Sequence, residues 1–158
     1  MLGKTAFWIP WCSIVLVVAV GCAETLLEPR YEESRQAWVL EDRSGDVVQT
    51  LELSHVRPAP GDTLRITSVV VNHGRARSIE ARICGLDLAT DLELRDPFGR
   101  CLGYSMKGTL AAGDTLHSSE MGVVESGPGV YRVRIRHLLD PERWIPVNIE
   151  VVEASTAR

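Results

Sequence analysis

The chain has 158 residues, 45% of them hydrophobic, with 17 Lys plus Arg against 21 Asp plus Glu and a formal net charge of −4. That length suits one compact domain and excludes a large multidomain enzyme, while the apolar content excludes wholesale disorder. The negative balance, with Lys4 and Lys107 as the only lysines, argues against nucleic acid, whose phosphates call for a basic surface.

Lys4 precedes an apolar stretch from Ala6 to Val20, followed by small residues. This is the layout of a secretory signal peptide, and the stretch falls short of the ~20 apolar residues of a spanning helix. Ala19-Val20-Gly21-Cys22 resembles the bacterial lipobox, whose cysteine is lipidated before cleavage. The resemblance implies a diacylglyceryl group on the sulfur of Cys22, cleavage after Gly21, and loss of residues 1–21 as a leader. Two or three acyl chains anchor stably, because each buried methylene contributes about 0.8 kcal/mol. Ala23 stands where the resemblance would place Asp for inner-membrane retention. The expected location is therefore an exported, membrane-anchored lipoprotein: at the outer membrane facing the periplasm in a Gram-negative cell, otherwise on the outer face of the cytoplasmic membrane.

Residues 22–45 read as the lipidated cysteine and a charged tether. Glu28, Arg30, Glu32, Glu33, Arg35, Glu41, Asp42 and Arg43 leave it few apolar positions. A short helix after Pro29 and docking of Trp38-Val39-Leu40 on the domain are both open to it.

Residues 46–158 carry period-two patterning in short runs bounded by turn residues, with no sustained helical stripe. Val47, Leu51 and Leu53 share one phase around Gln49. Leu64, Ile66, Ser68 and Val70 form the inward face of the next strand, which Asn72-His73-Gly74 turns. Ile79, Ala81 and Ile83 face inward after it. Leu92 and Leu94 lead into Asp96-Pro97-Phe98-Gly99, a type I turn pattern that predicts a hairpin into Arg100 to Tyr104. Ala111-Ala112-Gly113-Asp114 is another turn. Tyr131, Val133 and Ile135 alternate with Arg132, Arg134 and Arg136, and Ile145, Val147, Ile149 and Val151 share the last phase.

Seven or eight such strands, polar on one face, predict an all-β fold: an antiparallel immunoglobulin-like sandwich, with a small closed barrel as the alternative. Tyr131 resembles a tyrosine corner, its phenol bonding a nearby backbone group; a core aromatic with its hydroxyl at the rim is the other reading.

Four segments in order, Val69-Val70-Val71-Asn72-His73-Gly74, Asp91 to Arg100, Leu110 to Leu116 and Pro128-Gly129-Val130-Tyr131-Arg132-Val133, resemble the BsuPI-type intracellular proteinase inhibitor domain over residues 63–137. The resemblance implies an immunoglobulin-like sandwich and protease inhibition. An exported leader stands against an intracellular site of action, and fold alone does not fix function.

Of the four cysteines, Cys12 leaves with the leader and Cys22 takes lipid, so Cys84 and Cys101 remain in an exported, oxidising setting. A disulfide between them would close about 16 residues and contribute about 3 kcal/mol. His55, His73, His117 and His137 lack metal-ligand spacing, and neither they nor Met106 and Met121 predict a metal. No Gly-x-Ser-x-Gly elbow is present, and Asp87, Asp91, Glu93 and Asp96 read as an exposed face rather than paired catalytic carboxylates or a calcium loop.

The row Arg132, Arg134 and Arg136 projects from one face, suited either to an acidic partner or to neighbouring carboxylates. The sequence therefore predicts a lipid-anchored cell-envelope module without catalytic residues, cofactor or metal, held to the membrane by its lipid and meeting an envelope protein or glycan. Protease inhibition through Asp96 to Tyr104 or Arg136 to Trp144 is the alternative, and an envelope enzyme ranks last.

Overall fold

The computed structural model describes residues 28–82, 85–96 and 105–154. Within them the chain is all β and every strand pairing is antiparallel. The strands are β1 (Arg30–Glu32), β2 (Ala37–Ser44), β3 (Val47–Leu53), β4 (Thr63–Asn72), β5 (Arg77–Arg82), β6 (Leu88–Ala89), β7 (Leu94–Arg95), β8 (Ser105–Leu110), β9 (Thr115–Val124), β10 (Gly129–His137) and β11 (Asp140–Val151). Six form one sheet in the order β1-β2-β3-β4-β9-β7, three form a second as β11-β10-β6, and β5 pairs with β8.

The period-two pattern explains the layers. Leu64, Ile66, Ser68 and Val70 of β4 are all buried, as are Val133 and Ile135 of β10 and Ile145, Val147, Ile149 and Val151 of β11. All of these but Ser68 and Val70 meet Leu40, Leu51 and Leu53 in one core between the six- and three-stranded sheets. Each fully buried aliphatic side chain contributes about 1.5–3 kcal/mol. A smaller cluster of Val47, Val70, Ile79 and Leu110 lies beneath the β5–β8 ladder.

One expectation is corrected here. Residues 30–44, read as tether, are strands β1 and β2 of the large sheet, and the segment after Pro29 is a strand rather than a helix. Leu40 is 2% exposed and Asp42 5%, so alternate residues of β2 point into the core while Glu41 and Arg43 point out. Those outward charges made the segment read as uniformly polar. Gly45, at φ 61°, closes β2 onto β3, with Ser44 opposite Val47.

The turns at Asn72 and Gly113 join strands of different sheets. Neither closes a hairpin, because β4 and β9 belong to the large sheet whereas β5 and β8 form their own ladder. Both segments cross between layers, and Asn72 binds them together. Its N–H donates to Asp114 O at 3.1 Å, its carbonyl accepts from Gly113 N, and its side-chain Nδ2 donates to Arg75 O, Leu110 O and Ala111 O.

β11 is an edge strand, and Pro146 sits on it, buried but in the phase of the exposed Asn148 and Glu150. Glu150 and Val152 send their N–H groups away from β10, to the carbonyls of Val56 and Pro58. By two-residue alternation the amide positions of Pro146 and Asn148 share that side. A proline there lacks a donor only on the side away from β10 and leaves the ladder to β10 intact.

Candidate functional site

The arginine row of β10 lies where its sequence placed it, opposite buried Val133 and Ile135. What the sequence did not place is Trp144. β11 pairs Asp140 with His137 and then Trp144 with Arg136, so Pro141, Glu142 and Arg143 bulge out of the ladder. The bulge shifts the phase and sets the Trp144 ring between two arginines. The Arg136 guanidinium lies 4.7 Å from its centroid and that of Arg134 lies 5.6 Å away. Each contact contributes about 0.5–1 kcal/mol at an exposed site and fixes a long, otherwise mobile side chain. Arg132 is also partnered.

Arg136 reaches past Trp144 to Asp87, whose Oδ2 is 3.5 Å from Nε. Beside that pair, in the gap where the β5–β8 ladder and the β6–β10–β11 sheet part, is a cleft of about 280 Å³ lined by Glu80, Gly85, Leu86, Arg136, Leu138 and Pro141. Its wall at Gly85 is fixed from β9. Ser118 Oγ donates to Gly85 O at 2.7 Å, and Glu120 Oε2 accepts from Leu86 N at 3.2 Å. Gly85 has φ 82°, a backbone conformation that favours glycine, and a Cβ there would displace the end of the Glu120 side chain. Glu80 faces Lys107 at 3.6 Å.

The β10–β11 turn is pinned to the opposite sheet. Leu138 N–H donates to Gln49 Oε1 at 3.0 Å, and Gln49 Nε2 donates to Ser68 Oγ at 3.0 Å. From the bulge, Arg143 Nη2 donates to Asp42 Oδ1 at 2.6 Å. His137 lies between, 1% exposed, and burial lowers its pKa below the ordinary imidazole value. Asp42 and Asp140 oppose that shift, whereas Arg143 and Arg77 add to it. Arg136–Trp144 is thus a clamped turn, not an extended loop.

Tyr131 donates its phenol proton to Gly127 O at 2.9 Å, the local bond of the tyrosine-corner reading. His117 is exposed on the outer face of β9, where Met121 accepts from Arg65, while His137 is between the layers. No group of three metal-ligating side chains occurs among the described residues. Cys22, Cys84, Cys101 and the turn from Pro97 to Tyr104 lie outside the described residues.

Gln49, Asp42 and Asn72, which organise this end of the fold, were missed as site residues. Their signal is that each is a polar residue in an inward phase, where a polar side chain needs a specific buried partner.

No protein-family model matches the sequence, and no curated protein matches it. Among solved structures the chain is similar to a beta-glucosidase from Listeria innocua, in complex with glucose, at 15% identity and a TM-score of 0.38. The match covers 65% of this chain and 16% of the glucosidase. A likeness that slight carries no argument about activity.

Proposed function

We propose that this chain is a lipid-anchored binding module of the bacterial cell envelope, with an immunoglobulin-like sandwich that recognises an acidic segment of another envelope protein through its β10–β11 face. One observation carries the reading: Arg134 and Arg136 flank Trp144 beside the cleft at Leu138 and Asp87. Arg and Trp are the residue types that dominate protein-binding hot spots, and a guanidinium held against an indole loses little further freedom when it meets a carboxylate. The leader of residues 1–21 and the lipobox-like Ala19-Val20-Gly21-Cys22 support export and anchoring. A Cys84–Cys101 disulfide suits that compartment.

The face is tested by a photo-crosslinker at position 134 of the full chain in its native membranes. A crosslinked partner should form at low salt, weaken at high salt, and be lost in Trp144→Ala. Crosslinking that ignores both salt and Trp144 would overturn the reading. Cys22→Ser should release the protein from membranes and abolish acyl labelling; persistent labelling sinks the anchor. Reduction should shift the mobility of the mature domain, whereas two free thiols without reductant would remove the disulfide. Stoichiometric inhibition of an extracytoplasmic protease would favour the inhibitor alternative, for which the ordered BsuPI-like segments speak.

A further inference from the structure

His137 closes the β10–β11 turn in two ways. Its main chain pairs with Asp140, the last pair before the bulge that ends at Trp144, and its ring accepts at Nδ1 from Leu139 N–H at 3.2 Å. Only the neutral imidazole makes that second bond, because both ring nitrogens of an imidazolium are donors. The other nitrogen, Nε2, is buried and has no hydrogen-bond partner among the described residues. A ring 1% exposed is not hydrated where it lies. A proton gained at Nδ1 therefore sets a donor against the Leu139 N–H and buries a charge away from water, and both effects favour an open turn over a closed one.

The groups that face the ring from three strands do not absorb this charge. Asp42 of β2 and Asp140 at the head of β11 attract a proton to it, while Arg143 of the bulge and Arg77 of β5 repel one. Asp42 is itself held by Arg143 at 2.6 Å. Two carboxylates stand against two guanidiniums, so burial, the largest influence, decides and keeps the pKa of the ring below its ordinary value.

The turn leads directly into the arginine face. Arg136 precedes His137 and pairs with Trp144, and the Pro141–Arg143 bulge sets the indole 4.7 Å from the Arg136 guanidinium and 5.6 Å from that of Arg134. Leu138, the residue after His137, lines the cleft beside them. Loss of the His137–Asp140 pair frees the bulge that positions Trp144.

We propose that protonation of His137 opens this turn and withdraws Trp144 from Arg134 and Arg136, so that the face releases its acidic partner in acid. The release rests on the binding role proposed for that face, whereas the switch in the turn does not. Histidine is the side chain whose charge changes closest to neutrality. The closed turn requires the neutral ring, so it is complete above about pH 6.5 and is lost as the pH falls through the lower pKa of the folded state.

The test is a titration of the isotopically labelled full chain in detergent from pH 8 to 5, following the His137 ring nitrogens, the Leu139 amide and the Trp144 indole N–H together. One shared midpoint is expected. His137→Gln keeps an oxygen that accepts from Leu139 but does not titrate, so in it the Leu139 and Trp144 signals should stay flat. In native membranes, crosslinking from position 134 should fall about tenfold or more over the same range, since a hydrogen bond and two cation–π contacts are lost together, and should hold in His137→Gln. A ring that titrates while Leu139 and Trp144 stay still would mean that the charge is housed in place beside Asp42, and would overturn the proposal. So would a ring that stays neutral to pH 5, or an acid loss of crosslinking that persists in His137→Gln. Should that variant not fold, the wild-type resonances decide. No crosslink at any pH would overturn the binding role of the face, and the resonances, which need no partner, still decide the switch.

Discussion

Gln49 in β3 and Leu138 in the β10–β11 turn, 89 residues apart in sequence, are joined by a 3.0 Å hydrogen bond from the Leu138 N–H to Gln49 Oε1. Gln49 is fully buried, and its Nε2 proton goes to Ser68 Oγ. One side chain thereby fixes the turn that carries Arg136 and Leu138 to the cleft and His137 into the interior.

Gln49→Leu keeps the volume but strands the Leu138 N–H and removes the donor to Ser68. The expected loss of stability is about 2–3 kcal/mol, because the cost falls on buried groups left without partners. Urea denaturation of the mature chain measures it; a loss under about 0.5 kcal/mol would mean that the latch contributes nothing net.

Asn72 predicts a larger and chemically specific effect. Its Nδ2 faces three carbonyls, of Arg75, Leu110 and Ala111, and its Oδ1 accepts from Gly74 N. Asn72→Asp is nearly isosteric but aims a negative oxygen at those carbonyls, and should cost about 3 kcal/mol or more. Denaturation midpoints of Asn72→Asp and Asn72→Ala side by side provide the check. If Asp is tolerated as well as Asn, the three carbonyl bonds do not hold the crossovers.

The strands were largely legible because alternation was strict where one face met the core: Leu64 to Val70, Tyr131 to Ile135 and Ile145 to Val151 all fell into phase. β2 was not, since Asp42 occupies a core position that only its ion pair with Arg143, from the bulge of β11, explains. The turns at Asn72 and Gly113 were legible because turn chemistry is local, whereas the sheet each leads into depends on β5 meeting β8. The arginine row was legible from β10 alone. Trp144 was not, because its place between Arg134 and Arg136 depends on a three-residue bulge in another strand.

Gly122 predicts a packing limit. It sits in β9 opposite Leu64, and a Cβ there would lie 2.8 Å from Leu94 Cβ and 3.5 Å from Arg95 O. Since Leu94 and Arg95 form the short edge strand β7, Gly122→Ala should push that strand off β9. A loss of about 1–3 kcal/mol is expected from overpacking. Hydrogen exchange should localise the change to the β7–β9 pairing; unchanged protection there would show that β7 adapts without cost.

His137 makes stability depend on pH with a definite sign. Burial is the main cause of its lowered pKa, with Arg143 and Arg77 lowering it further against Asp42 and Asp140. The unfolded imidazole takes a proton near its ordinary value of about 6.5, while the folded one takes it only at lower pH. Between those values the unfolded state binds more protons, so stability should be full above about pH 6.5 and fall as the pH drops toward the folded pKa. Protonation also removes the lone pair with which Nδ1 accepts from Leu139 N–H, loosening the turn. Denaturation midpoints between pH 8 and 5 should therefore fall on the acid side, and His137→Gln, which cannot titrate, should flatten that decline even if it lowers the plateau. An equal acid decline in the variant would place the proton uptake elsewhere and remove His137 from the account.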